Sequence, residues 1–364
     1  MLIPAGILAS LIVGAGMFSL PHVFVRAGII YGLVALLFFT WISISLNARY
    51  AKIIDQNGTN NRFAGYAKKY LGQTGYVSAL IFALGGIVFA LTVYIALAAS
   101  FFSLVFPAFP AVIGALAFWV ISTIIVFLGT KNASTASLAV FVAMTAIIIF
   151  FGLFALVRGG VDNITTLVLF DYSNLFLPFG PLLFALSGRA ALSSIREGYK
   201  EKEYSLQNFQ KAIRLGVIIP AIIYIVFVVA VIALSPQGVT PDAITGLTAL
   251  PVWGLAVIGI LGLLAILDSY VLLGMEFTGI VSKDIGKPKA ISYLLLAIIP
   301  IAIYFLGTSD FLVLVGIAGG IFLAAESIMV VLMGQRAFGS RASDVPLLIV
   351  FVLGIIYVIT GLFG

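Results

Sequence analysis

The chain has 364 residues, of which 63% are apolar and only 9% charged, with a mean hydropathy of +1.25. Soluble domains carry about 25% charged residues, so this composition excludes an ordinary soluble enzyme, and its apolar excess excludes a disordered chain. The net charge of +6 comes from 19 Lys and Arg against 13 Asp and Glu; the basic residues form no single polar segment, so they report topology and not nucleic-acid binding.

Charge-free runs such as 217–234 and 347–363 are long enough to cross a bilayer. No short alternating segments suggest a barrel. Hydrophobic runs separated by polar breaks predict eleven spans, at 2–25, 29–53, 75–106, 109–129, 135–157, 177–197, 212–234, 251–281, 290–306, 310–333 and 346–363. The breaks carry turn chemistry: DQNGTNN, FPAFP, TKNASTA, SPQGVTPDA, GKPK and LGTSD. The opening stretch, MLIPAGILASLIVGAGMFSLP, has neither a basic leader nor an A-x-A-like cleavage site and reads as the first span, not as a signal peptide. Between spans 2 and 3, NNRFAGYAKKYLG reads as a short amphipathic helix on the membrane surface, its lysines toward the headgroups.

With the N-terminus cytoplasmic, 16 of the 19 basic residues fall on the inner side: Arg49, Lys52, Arg62, Lys68, Lys69, Lys131, Arg196, Lys200, Lys202, Lys211, Arg214, Lys283, Lys287, Lys289, Arg336 and Arg341. Arg26 and Arg158 fall outside and Arg189 lies within a span. That asymmetry predicts a cytoplasmic N-terminus, an outer C-terminus and residence in the plasma membrane.

Two spans are interrupted. Span 1 contains Val13, Gly14, Ala15, Gly16, Met17 and Pro21, and span 6 contains Phe184, Ala185, Leu186, Ser187, Gly188 and Arg189. Glycine and proline remove helix propensity, and unwound backbone at mid-membrane is tolerated only where protein or a water-filled cavity surrounds it. Interrupted spans at corresponding places in two halves point to the binding site of a secondary transporter. Gly16 and Gly188 are 172 residues apart, which fits two inverted halves of five spans, 2–157 and 177–333, with 346–363 added, in one transporter domain covering 1–364. The plainer reading of the glycines is close helix packing.

At these residues GAGMFSLP resembles the first-span signature of the amino acid–polyamine–organocation superfamily, nearest to its amino acid/auxin permease branch and the bacterial aromatic amino acid permeases. Ser194-Ile195-Arg196 followed by NFQKAIRLGVIIPAIIYIVF resembles the passage between spans 6 and 7 of the same families. The likeness covers spans 1–10 in layout and is specific in residues 10–28, 184–226 and 262–280. It implies the LeuT-type fold and cation-coupled amino acid transport. Two positions depart: Arg189 stands where the aromatic permeases carry histidine, and Asp268 where they carry Ser or Thr.

The resemblance also places functional groups. Span 8 would supply a sodium site through Ala265, Asp268 and Ser269, which share one helical face, against span 1 near Ser10 and Val13. Hard oxygens suit Na⁺, while a buried carboxylate equally suits a proton carrier. Tyr94 sits at the depth where this fold places an aromatic hydroxyl near substrate. Helix-terminal physics assigns a substrate carboxylate to Gly14, Ala15 and Gly16 and an amine to carbonyls of Phe184–Ser187. Val13, Met17 and Leu186 suit a neutral, bulky apolar side chain, a preference that owes most to the resemblance. Arg189 either holds a carboxylate or pairs with Asp268 or Glu276. Glu276 reads as an inner-gate residue, Glu326 as lining the inner vestibule and His22 as hydrogen-bonded packing.

The expected function is symport of a neutral, bulky or aromatic amino acid by alternating access, by a monomer in the bilayer, with Na⁺ or H⁺ as coupling ion and no other cofactor. The alternatives are an exchanger, a carrier of another small organic cation or amine, or a membrane sensor that transports nothing. The chain has no cysteine, a single histidine, and no H-E-x-x-H, G-x-S-x-G or P-loop, which speaks against an enzyme or an ATP-driven pump. No repeated filter motif suggests a channel.

Overall fold

The computed structural model describes residues 2–129, 133–157, 168–199, 205–247, 249–307 and 310–363. Lys131, Arg158, Lys200 and Lys202, which the topology count used, lie outside them. The described residues are helical, without strands. Span 1 consists of 1a (Leu2–Ile12), a 3₁₀ turn (Ala15–Ser19) and 1b (Leu20–Ala27), its two arms bent by 44°. Spans 2 to 5 are Ile29–Asn57, Phe63–Val105, Ala111–Leu128 and Ala133–Val157. Span 6 divides into 6a (Phe179–Ala185) and 6b (Arg189–Tyr199). Spans 7, 8 and 9 are Leu206–Leu234, Val252–Gly279 and Lys289–Leu306. Span 10 runs Phe311–Ile317 and Ala324–Phe338 around a π-helical turn at Ala318–Leu323, and span 11 is Asp344–Phe363. Nine described helices are long and apolar enough to cross a membrane, ten with the bent first span. Span 6 completes the predicted eleven as two short halves.

Helix 1a is apolar on every side, and accordingly it is enclosed by spans 5, 6b, 7 and 8. Spans 3 and 8 lie along one another. The rim is apolar too: Leu37, Trp41, Ile121, Ile124, Leu294, Ile298, Val352 and Ile356 are exposed large side chains that only lipid can cover.

Two contacts need glycine. A Cβ on Gly319 would lie 2.0 Å from the Gly180 carbonyl oxygen, and one on Gly180 would lie 3.1 Å from that of Gly316, so 6a and span 10 meet along their backbones. Gly72 takes φ 74°, which joins the helical turn at 63–71 to span 3 at a sharp angle.

That junction bears on one expectation. The break at Gly72 sets 63–71 apart as a short helix ahead of the main run of span 3, and its apolar face is buried against the bundle. Phe63 and Tyr66 are fully buried against Tyr50 of span 2, while Lys68 and Lys69 stay exposed. Its apolar stripe packs on protein because this end of the bundle offers an aromatic floor around Tyr50.

Candidate substrate and ion site

The first break begins where Gly14 leaves helical geometry at φ −114° and ψ −149°. Its N–H reaches only as far back as the Ile12 carbonyl, 2.8 Å away, and Ser19 caps the Gly16 carbonyl at 2.7 Å. The second break covers Leu186, Ser187 and Gly188, with the Leu186 carbonyl accepting a hydrogen bond from Ser43 of span 2 at 2.9 Å. The two breaks touch: a Cβ on Gly16 would fall 2.4 Å from Ala185 Cα and 2.8 Å from its nitrogen. Gly188 leaves room for Leu8 and Ile12 of helix 1a, since its Cβ would lie 2.5 Å from Leu8 Cδ1.

A cavity of about 30 Å³ lies between the breaks, bounded by Gly14, Ala15, Gly16, Tyr94, Phe184, Ser187, Arg189 and Glu326. Most predicted substrate residues therefore converge on it. Leu186 and Gly188 instead face a second cavity of about 50 Å³ beside spans 2 and 10, which shares Ser187, Arg189 and Glu326 with the first. Met17 faces a third, nearly apolar cavity next to Phe18, Phe151 and Phe227. Val13 and Ala185 are buried in the joint. Phe18 stands edge-on to Phe101 and to Phe227, with centroids 5.0 and 5.4 Å away, and closes the space on the 1b side.

Arg189 does not pair with Asp268 or Glu276. It pairs with Glu326 of span 10: Nε donates to Oε2 at 2.6 Å and Nη2 to the same oxygen. Both side chains are buried, and the guanidinium stacks 4.1 Å over the Phe63 ring. A π-helical turn one residue before Ala324 rotates the following helix and brings Glu326 inward. Nothing in the small-residue run AAES distinguishes that face.

Asp268 sits among hydroxyls. Ser10 of helix 1a donates to Oδ2, and Ser137 of span 5 donates to Oδ1 at 2.5 Å. One carboxylate thus links spans 1, 5 and 8. Ser269 abuts Gly14, where a Cβ would lie 2.6 Å from its Oγ, and it faces Tyr94. Ser10, Val13, Ala265 and Ser269 are all buried around this contact. The donor set consists of hard oxygens, which fits Na⁺ and H⁺ alike.

Tyr224 of span 7 and Ser137 are the functional side chains that pattern reading missed. The Tyr224 hydroxyl points at the carbonyls that end both half-helices, Ile12 and, at 2.7 Å, Ala185. An apolar stretch with one tyrosine gives no sign of this.

At the end of the bundle near the turn before span 3, buried Glu276 faces Arg62 Nη1 at 3.7 Å, Arg62 Nη2 donates to Glu197 at 3.1 Å, and Glu197 holds Lys283 at 3.3 Å. The partner of Glu276 is thus Arg62. His22 Nδ1 lies 3.0 Å from the Val239 carbonyl, a packing bond between 1b and the loop after span 7.

An all-helical membrane bundle in which two interrupted spans meet backbone to backbone around a polar cavity is a secondary transporter of the LeuT type, not an enzyme. Solved transporters of this fold superpose over nearly the whole chain: MhsT in complex with L-phenylalanine (TM-score 0.71, 18% identity, 98% of this chain and 97% of that one). A manganese transporter of Eremococcus coleocola, solved with an aromatic bis-isothiourea compound, follows (0.67, 14%, 99% and 87%). So does Mhp1, a nucleobase-cation-symport-1 family transporter in a closed conformation with bromovinylhydantoin bound (0.64, 13%, 98% and 90%). No curated protein sequence matches significantly. The model of the tryptophan/tyrosine permease family matches residues 1–238, and the chain belongs to that family.

Proposed function

We propose that this permease carries a neutral, bulky or aromatic amino acid across the plasma membrane by alternating access, driven by Na⁺ or H⁺. The observation that carries this reading is the meeting of the two breaks at Gly16 and Ala185 around a cavity that exposes a helix start on one side and helix-ending carbonyls on the other. An N-terminal helix start favours an anion and C-terminal carbonyls favour a cation, which are the two charges of a zwitterion. The carboxylate sits on Gly14, Ala15 and Gly16, the ammonium on the carbonyls of Phe184–Ser187, and the side chain faces spans 3, 8 and 10. Family membership and a relative solved with L-phenylalanine support an aromatic side chain.

Asp268, with Ser10, Val13, Ala265 and Ser269, is the coupling site in this reading. A cation there draws helix 1a and span 5 onto span 8, so its arrival closes the bundle around substrate. The halves 2–157 and 177–333 act as inverted repeats, with the N-terminus inside and the C-terminus outside, and one chain suffices. Uptake of labelled amino acids into proteoliposomes under an imposed Na⁺ or H⁺ gradient tests the reading. Accumulation against a gradient supports symport, homoexchange without accumulation supports an exchanger, and no response to any of the twenty amino acids refutes the substrate class.

A further inference from the structure

The Arg189–Glu326 pair is unusual in how little of itself it uses. Both guanidinium donors go to the single oxygen Oε2, while Arg189 Nη1 and Glu326 Oε1 are buried without a hydrogen-bond partner among the described residues. Both side chains line the cavity between the breaks. Both also line the second cavity, with Ser43, Asn47 and Ser327. Its volume of about 50 Å³ has room for roughly three waters at ~15 Å³ each. One cavity therefore presents the pair to substrate and the other presents it to water.

The charges around Glu326 are few. Arg189 faces it from 6b, Glu276 acts on it from span 8, and span 3 packs against it through Gly86 and brings the Tyr94 phenol to the same cavity. Tyr50 of span 2 faces Arg189 from beneath, 5.7 Å from the guanidinium carbon to the ring centre. Arg189 is thus the cation nearest to Glu326, and whatever draws it away leaves a buried carboxylate beside a second acid. Such a charge is not stable in this setting, whereas the neutral acid is.

We propose that Arg189 and Glu326 form a substrate-switched pair: the carboxylate of an incoming amino acid, seated at Gly14–Gly16 across the same cavity, also takes Arg189, and Glu326 gives up the guanidinium and takes one proton in its place. The balance closes. The empty site holds a guanidinium and a carboxylate, net zero; the loaded site holds a zwitterion, a guanidinium and a carboxylic acid, net one positive charge. The proton comes from hydronium of the medium: one hydronium O–H bond breaks, the Glu326 O–H forms, and water is left. Arg189 need not travel far, because rotation in the guanidinium plane, stacked on Phe63, takes Nε and Nη2 off Glu326 and offers the unpartnered Nη1 to the substrate. This inference rests on the amino acid reading above and adds a coupled proton to it, separate from whatever cation Asp268 takes.

The test is substrate affinity as a function of pH in purified full-length protein, with L-tryptophan, L-tyrosine and L-phenylalanine as probes in Na⁺-free buffer. Uptake of one proton per amino acid makes affinity fall tenfold per pH unit wherever Glu326 is ionised in the empty site and protonated in the loaded one. A pH dye in weakly buffered solution registers the same proton leaving the medium. Glu326→Gln, whose amide cannot ionise, binds with an affinity that does not vary with pH and takes up no proton, whereas Glu326→Asp keeps the slope. Asp268→Asn keeps the slope as well. Wild-type binding with a flat pH profile overturns the proposal alone and leaves the amino acid reading standing. A slope that survives in Glu326→Gln and vanishes in Asp268→Asn also overturns it, by moving the proton to Asp268. Failure of wild type to bind any amino acid at any pH removes the reading and the proposal together. If the Gln variant does not fold, the Asp268→Asn profile decides: a retained slope supports Glu326, and a lost slope overturns the proposal.

Discussion

Adding a single methyl group at Gly16 tests whether the breaks meet as described. The new Cβ would lie 2.4 Å from Ala185 Cα, and ordinary contact begins at 3.4 Å, so the two backbones must part by about 1 Å. Neither atom is the tip of a flexible side chain, so no rotamer relieves the clash. Overpacking of this kind costs about 1–3 kcal/mol, equivalent to a factor of roughly 5 to 150 in an equilibrium constant. The strain falls on the joint that shapes the cavity, so Gly16→Ala should weaken amino acid binding by about that factor and lower the melting temperature of the purified protein. Gly361→Ala is the matched control, since a Cβ there meets nothing within 4 Å. Binding isotherms and thermal unfolding in detergent read both effects. Wild-type affinity and melting temperature in Gly16→Ala would refute the backbone contact and, with it, the placement of the site between the breaks.

Tyr224→Phe removes one hydroxyl and leaves the Ile12 and Ala185 carbonyls without it, a loss of about 1–3 kcal/mol that should weaken substrate binding and lower thermal stability; an unchanged variant would show that the hydroxyl does not hold the breaks. Asp268→Asn should abolish gradient-driven accumulation in proteoliposomes while leaving substrate exchange, and normal accumulation would reduce Asp268 to a structural acid. Ser137→Ala and Ser269→Ala should each raise the ion concentration for half-maximal uptake several-fold, which a cation titration of uptake measures. Arg62→Gln deprives Glu276 and Glu197 of their shared cation and should open that end of the bundle. Because the chain has no native cysteine, thiol labelling at Ala9→Cys reports that opening, and an unchanged labelling rate would mean the network is not a latch.

The spans and both breaks were legible because they depend on local chemistry: an apolar run must cross the bilayer, and Gly14, Gly16 and Gly188 cannot hold a helix without support. The contact between Ser10 and Asp268 followed from span 8 spacing together with the family resemblance. The partner of Arg189 was not legible. Glu326 is 137 residues away, and its direction depends on a π-helical turn that no residue type announces. Nor was the burial of Phe63 and Tyr66 foreseeable, since in a membrane protein the lipid boundary and the protein interior select the same apolar side chains. Ser137 and Tyr224 escaped for a related reason: one hydroxyl in an apolar span has the same appearance whether it bonds its own helix or a distant carboxylate.

The seam between helix 6a and span 10 has a mechanical consequence. Where side chains interdigitate, two helices move past one another only by lifting knobs out of holes, and each lift breaks many small contacts at once. Gly180 meets Gly316, Gly319 and Gly320 with no knobs on either side. Displacement along this seam trades one smooth backbone surface for another, and the π turn of span 10 already has the wider winding that absorbs a change of register. In engineering language the seam is a plain bearing: it holds 6a firmly against sideways movement while leaving the axial direction nearly free, and a larger residue at Gly180 or Gly319 would act as a key driven into the shaft.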